Sequence, residues 1–141
     1  MIKMTMNFNY RIPNIDLSNE LKVVGSDFAD ILKDNISREI DLTEKPYAPL
    51  SAKTIAYKMK KGLILKVLQA TGQLYASIVS QQKSKNKVVV YIKGDRAEVG
   101  DILQNKGVRG GRKFNFFGIS TKMEKHALDY MTKSIKEKLR G

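Results

Sequence analysis

Apolar residues recur at helical spacing in two long stretches of the chain, and each stretch predicts an amphipathic helix. The first covers residues 18–42, where apolar positions follow steps of three and four. These positions are Leu21, Val24, Phe28, Ile31, Leu32, Ile36 and Ile40. Asp16 or Ser18 is placed to cap this helix by accepting backbone N–H groups. Gly25 is a weak point, because glycine costs about 1 kcal/mol relative to alanine inside a helix, but it also allows another element to pack closely.

The second stretch begins at Ser120 or Thr121 and continues through the last residues of the sequence. Its apolar stripe is Leu128, Met131, Ile135 and Leu139, with Ala127 alongside. Glu124 follows Thr121 by three residues, which is the spacing of a capping box. The other positions are basic and polar, so the pattern predicts a helix with one buried face.

Alternation of apolar and polar residues predicts a strand in residues 1–12. Every second residue from Met4 to Tyr10 is apolar, and Pro13 ends the run. We expect an edge strand or an extended arm over residues 1–13.

A second strand is predicted where the sequence reads KVVVYIK, at residues 87–93. These residues are mainly β-branched or aromatic, and the turn pair Gly94-Asp95 follows them. The short turn predicts an antiparallel hairpin with residues 96–100.

Turn and cap residues divide the middle of the chain into short elements. Two prolines keep residues 45–50 extended. Ser51 then stands as the N-cap and Gly62 as the C-cap of a basic helix of two to three turns. Ile55 and Met59 lie four residues apart in it, and the pattern predicts a basic outer face.

The segment that follows is mainly apolar. Residues 63–69 read equally well as a strand or as a buried linker. Thr71 is then expected to cap a second short helix over residues 72–81, in which Leu74 and Ile78 share one face.

Together these elements predict an α+β fold in a single domain of residues 1–141. A long N-terminal helix and a C-terminal helix would pack on a small antiparallel sheet, with two short helices between. A length of 141 residues suits one domain, and 42% hydrophobic residues suffice for a core. Residues 107–115 are rich in glycine and cations and predict a mobile basic loop.

Composition narrows the class of protein. The absence of cysteine excludes disulfides and thiolate metal sites. The sequence contains neither an apolar run of about 18 residues nor a signal-peptide core, so we expect a protein made and used in the cytoplasm, without a membrane span. A net charge of +12 favours polyanions or acidic protein surfaces, or is simply a solvated basic surface. Stacking aromatics and a reading helix are not evident, which disfavours direct base recognition.

Candidate catalytic groups are sparse, so the sequence predicts a protein that is not an enzyme and that uses no cofactor or metal. His126 is the only histidine, and its near neighbours in sequence are Glu124, Lys125 and Asp129. An exposed or partly packed histidine explains it better than a general base. The glycine-rich residues 107–113 lack the Lys-Ser or Lys-Thr pair of a phosphate-binding loop.

Two consecutive motifs in residues 47–78 resemble the phage virion morphogenesis family, the tail-completion proteins of long-tailed, Mu-like phages and prophages. The family pattern is an aromatic residue, Pro-Leu-Ser, Thr and Lys, followed by Leu, Thr-Gly, Leu and Ser-Ile. The matching residues are Tyr47, Pro49, Leu50, Ser51, Thr54, Lys58, Leu68, Thr71, Gly72, Leu74, Ser77 and Ile78. Taken singly, these residues are also what turns, helix caps and a core require.

The resemblance continues more weakly towards the C-terminus. Residues 101–107 look like a family segment in which histidine usually stands at the place of Gln104. Residues 116–120, FFGIS, look like the turn before the last helix of the family. The arginine-proline pair that precedes this turn in the family is missing, and the nearest cations, Arg112 and Lys113, are displaced towards the N-terminus.

The family resemblance implies a structural protein of virion assembly that completes the tail or joins it to the head. It implies contacts with other tail or neck proteins, a homo-oligomeric ring, and location in the host bacterial cytoplasm and then in the virion tail or neck. The residues expected to make contacts are Lys58, Lys60, Lys61, Arg109, Arg112 and Lys113. The alternative, suggested by the charge, is a basic DNA-binding or DNA-packaging accessory protein.

Overall fold

The computed structural model describes residues 3–7, 15–65, 68, 73–94, 96–101, 103–104 and 114–140. Along the chain the elements are β1 (Lys3–Asn7), α1 (Ser18–Ser37), α2 (Ala52–Lys61), α3 (Gln73–Ala76), β2 (Ile78–Ser84), β3 (Lys87–Ile92), α4 (Arg96–Asp101) and α5 (Thr121–Arg140). The predicted α+β class is confirmed, with two long helices and a three-stranded antiparallel sheet.

The sheet has the strand order β1-β3-β2, with β3 in the centre. Val88 and Val90 of β3 are fully buried on the face that α1 covers, as β-branched residues of a central strand should be. The turn at residues 85–86 joins β2 to β3, and the register slips by one residue between Gln82 and Ser84. The edge strand predicted in residues 1–12 is confirmed for Lys3–Asn7, which pairs with β3.

α1 packs on the sheet at the one position where the helix has no side chain. A Cβ atom built on Gly25 would lie 2.5 Å from Cγ2 of Val88, closer than real Cβ contacts allow. Gly25 therefore sets the distance between α1 and β3, as its absent side chain allows.

α1 ends five residues earlier than the predicted boundary at residue 42. Glu39 takes a left-handed conformation with φ of 58°. Its N–H donates to the carbonyl of Ile36, and the N–H of Ile40 donates to the carbonyl of Asn35. This pattern is a Schellman motif, which ends the helix although Ile40 continues the apolar spacing. At the other end the N-cap is Leu17, which has no side-chain cap, so the predicted cap at Asp16 or Ser18 is wrong. Asp16 Oδ1 instead accepts the N–H of Ser18, the first helical residue, at 2.9 Å.

α5 has the predicted length, but its buried face is displaced from the predicted stripe. Met123 and Met131 are buried, with Ala127 partly buried beside them, whereas Leu128 and Leu139 are exposed. The cap also differs, because Ser120 Oγ accepts the N–H of Met123 at 3.2 Å. The predicted capping box between Thr121 and Glu124 is therefore wrong, because the capping side chain is Ser120, one residue earlier.

Two predicted elements were assigned to the wrong class. The helix expected over residues 72–81 is a single turn, α3, after which Ile78 and Val79 pair with β3 as the start of β2. The strand expected over residues 96–100 is the helix α4. Both errors concern the strands that pair with β3. In the structure β3 pairs with β1 on one side and with β2 on the other.

The hydrophobic core lies between α1, the sheet and α5. It includes Phe28 and Leu32 of α1, Ile92 of β3 and the aromatic residues Phe116 and Phe117 that precede α5. These side chains are almost completely shielded from solvent, so a single core holds the described elements together.

Candidate protein-interaction surface

The ends of α2 are set by the predicted residues. Ser51 Oγ accepts the N–H of Thr54 at 3.1 Å, and Gly62 adopts a left-handed conformation with φ of 66° at the C-cap. The N–H of Gly62 donates to the carbonyls of Lys58 and Met59. Local sequence therefore accounts for where this helix begins and ends.

α2 does not bury the apolar face that its spacing predicts. Ala52, Ile55, Ala56 and Met59 follow the spacing of one helix face, and all four are exposed. Met59 is 66% exposed, whereas Lys58 is only 8% exposed. The prediction of Lys58 as an exposed contact cation is therefore wrong. Lys60 and Lys61 are exposed, as predicted.

Lys58 is the shielded lysine of α2, and the charge of Glu39 acts on it. Burial lowers the pKa of Lys58, and the negative charge of Glu39, just past the end of α1, partly offsets this by favouring the ammonium form. A lysine near a helix C-terminus also interacts favourably with the helix dipole. The burial of this lysine therefore has a cost, which the charge of Glu39 reduces.

The exposed apolar residues extend beyond the helix. Ile64 and Leu65 follow the C-cap and are 42% and 48% exposed, and Tyr57 is also exposed. Exposed lysines border them on the helix. We define the α2 surface as the helix face formed by Ala52, Lys53, Ile55, Ala56, Met59 and Lys60. α2 has no extensive packing against any other described helix or strand. Clustered exposed apolar residues bordered by charges are typical of protein contact sites.

Most of the described motif residues have structural roles. Leu74 and Ile78 are buried in the core, and Tyr47, Leu50 and Leu68 pack against it. The ring of Tyr47 makes an edge-to-face contact with Phe114, with centroids 5.4 Å apart.

The polar motif residues also have structural roles, because they form hydrogen bonds within their own segments. Ser77 Oγ donates to the carbonyl of Gln73 at 2.6 Å, and the Ser51 hydroxyl donates to Thr54 Oγ1 at 2.9 Å. Pro49 is exposed in the extended segment before α2. Thr71 and Gly72 lie outside the described residues. The described part of the motif therefore builds the scaffold that presents α2.

The two weaker motif segments meet through one side chain. Gln104 Oε1 accepts the N–H of Phe117 at 2.7 Å and that of Phe116 at 3.2 Å, and Gln104 Nε2 donates to the carbonyl of Phe117. The sequence resemblance identified both segments, but it did not predict that Gln104 joins them. The predicted contact residues Arg109, Arg112 and Lys113 lie outside the described residues, as does most of the predicted loop.

Groups that could support other activities are spread over the surface. His126 Nε2 lies 3.1 Å from Asp27 Oδ2, and both side chains are partly exposed. In the described ranges, no three His, Cys, Asp or Glu residues are placed to hold a metal ion. None of the described helices is long and apolar enough to cross a bilayer.

Sequence reasoning overlooked how unevenly charge is distributed along the chain. Residues 16–44 contain eight acidic residues and three basic ones. Residues 45–94 contain ten lysines and no acidic residue. The net charge of +12 hides this asymmetry, which a count by segment would have found.

Comparison of the chain with family models, with curated proteins and with solved structures found no match.

Proposed function

We propose that this protein is a structural component of phage or prophage virion assembly, which completes the tail or joins head and tail through protein–protein contacts. It would act in the host bacterial cytoplasm during assembly and then within the tail or neck, in a homo-oligomeric ring. The observation that carries the proposal is the α2 surface, an apolar helix face left in solvent by a scaffold made of the family-like motif residues. A helix arranged in this way suits assembly, because a partner can bury the stripe.

Deletion of the gene from an inducible prophage tests this proposal. Loss of a tail-completion component leaves heads and tails that do not form infectious particles, and electron microscopy of the lysate should show them unjoined. Supplying the wild-type protein from a plasmid should restore the yield. Normal infectivity after deletion would contradict the proposal.

Complementation with surface variants links the function to α2. Ile55→Glu/Met59→Glu places two charges on the apolar stripe and should fail to restore infectious particles, because a carboxylate is costly to bury in a contact. Leu128→Glu/Leu139→Glu is the matched control, since it places the same two charges on exposed leucines of α5, which are 53% and 62% exposed. Equal complementation by both variants would argue against α2 as the functional surface.

DNA contact is a second candidate function, favoured by the outer face of the sheet. Lys3, Lys83 and Lys87 lie on the side away from α1, together with Thr5 and Gln81, and all five side chains are exposed. β2 and β3 contain no acidic residue. Lysines arranged in this way can neutralise a phosphate backbone without reading bases.

Duplex binding at about 50 mM salt tests the second candidate, with affinity then followed as the salt concentration rises. We expect a steep salt dependence for the wild type and a shallower slope for Lys83→Glu/Lys87→Glu, by about one unit per lost phosphate contact. Lys53→Glu/Lys60→Glu on α2 makes the same change in charge and serves as the control. Absence of binding at low salt would count against DNA contact.

A further inference from the structure

The solvent face of α1 carries an acidic stripe at the spacing of one helix face. Val23, Asp27, Asp30 and Asp34 are separated by four, three and four residues, which places them along one side of the helix. Val23 is 40% exposed, and the side chain of Asp34 is 62% exposed. We call these four residues the acidic stripe.

The contacts that the acidic stripe makes within the chain are weak ones. Asp34 pairs with Arg38 at 3.4 Å, and Asp27 with His126 at 3.1 Å, and both pairs are exposed to solvent. Exposed pairs of this kind contribute about 0 to 1 kcal/mol. The acidic stripe therefore retains negative charge that a second molecule can use.

The α2 surface complements the acidic stripe in charge and in chemistry. Lys53 and Lys60 lie seven residues apart on one edge of this helix face, Ile55 and Met59 lie on its other edge, and Ala52 and Ala56 lie between them. The acidic stripe places Val23 beside three carboxylates on a helix twice as long. Two helices with such faces can bury apolar side chains while opposite charges meet at the rim.

We propose that the α2 surface binds the acidic stripe on α1 of a second copy of this chain. This inference rests on the proposed function, because it names the partner of the surface through which the protein would act in assembly. The segregation of charge between residues 16–44 and residues 45–94 favours a second copy, since each molecule carries both the acidic and the basic surface.

A contact between two different surfaces has consequences for assembly. Each copy that uses its α2 surface still offers an acidic stripe, and each copy that uses its acidic stripe still offers an α2 surface. Such contacts either pair twice in a two-fold dimer or continue around a ring. Because lysines and carboxylates meet at the rim, association should weaken as salt screens them.

Charge exchange between the two surfaces tests the proposal on the purified full-length chain. Mass is measured by light scattering after size exclusion, at several protein concentrations and at about 50 and about 500 mM salt. The wild type should exceed the monomer mass at low salt in a concentration-dependent way. Lys53→Glu/Lys60→Glu and Asp30→Lys/Asp34→Lys should each weaken self-association about tenfold or more, because like charges then meet.

Mixing the two variants provides the decisive measurement. Acidic α2 of one variant then faces basic α1 of the other, so the mixture should associate although neither variant does so alone. Lys83→Glu/Lys87→Glu makes an equal charge change on the sheet and should associate as the wild type does. Circular dichroism with thermal melting checks that each variant is folded.

Three outcomes would overturn the inference: a wild type that is monomeric at every concentration, variants that do not associate when mixed, or an equal loss in the sheet variant. Retardation of DNA by the wild type, lost in the α2 variant alone, would instead assign the surface to a polyanion. If the wild type is monomeric and deletion of the gene still abolishes infectivity, this inference and the proposed ring fall, whereas the proposed role in tail completion or head–tail joining stands. Normal infectivity after deletion of the gene, together with self-association of the purified protein, would contradict the proposed function and leave this inference standing.

Discussion

Single residues decide how closely the elements of this fold approach, and Gly25 is the strongest case. From the sequence alone it is a weak point in a helix; in the structure it is where α1 meets Val88 of the central strand. Val88 is fully buried, so its side chain has little room to move. The packing requirement therefore outweighs the helix propensity.

Gly25→Ala should lower the free energy of unfolding by about 1 to 3 kcal/mol, because the new methyl overpacks the contact with Val88. Denaturant unfolding measures the change. Ser26→Ala, at the exposed neighbouring position, is the control and should be neutral or slightly stabilising. The double variant Gly25→Ala/Val88→Ala should lose less than the sum of the single losses, by about 1 kcal/mol. Strict additivity would show that Gly25 does not act through this contact.

At the scale of elements, α2 shows that correct boundaries do not determine orientation. Ser51 and Gly62 define the helix as the sequence predicts, since caps act through bonds within a few residues. Its shielded and exposed sides are decided by contacts outside the helix, which leave Lys58 8% exposed and Met59 66% exposed. Periodicity alone places the apolar stripe inward, whereas the structure leaves it exposed.

The burial of Lys58 predicts a pH dependence of stability. Burial lowers its pKa in the folded chain, so above that pKa the unfolded chain binds more protons than the folded one. Stability should therefore rise with pH towards the ordinary lysine pKa of about 10.4. Urea unfolding from pH 7 to about 10 should show the wild type gaining stability relative to Lys58→Met. Lys60→Met, at an exposed position of the same helix, should show no such trend. A constant difference for Lys58→Met would contradict the burial of this ammonium group.

At the scale of the whole molecule, one core joins segments that are distant in the chain. α1 packs against the sheet. The aromatic residues before α5 join the same core, and α5 packs there with them. Gln104 holds that segment through its side-chain amide, which bonds the backbone of Phe116 and Phe117. Because these groups are partly buried, loss of the amide would leave backbone groups with fewer partners.

Gln104→Ala should destabilise the fold by about 1 to 3 kcal/mol, the cost of leaving such polar groups unsatisfied. Gln104→Glu can still accept the two N–H groups but, once ionised, cannot donate to the carbonyl of Phe117. It should therefore fall between the wild type and alanine at neutral pH and approach the wild type as the carboxyl group protonates. Thermal unfolding at several pH values measures both. An unchanged melting temperature for Gln104→Ala would show that the Gln104 amide does not stabilise the fold.

Local chemistry in the sequence was enough to predict α1, α2, α5 and β3, together with the caps at Ser51 and Gly62. Such features depend on residues within a few positions of one another, so a linear pattern contains the information. The α+β class followed from the same elements.

Only the tertiary structure decided which elements meet. β1 and β2, rather than residues 96–100, flank β3, because pairing depends on partners distant in sequence. The buried face of α5 includes the predicted Met131 but adds Met123 and leaves out Leu128 and Leu139, because the surface beneath it selects the side that packs. The apolar stripe of α2 is exposed although its spacing predicts burial, because no described helix or strand packs extensively against it.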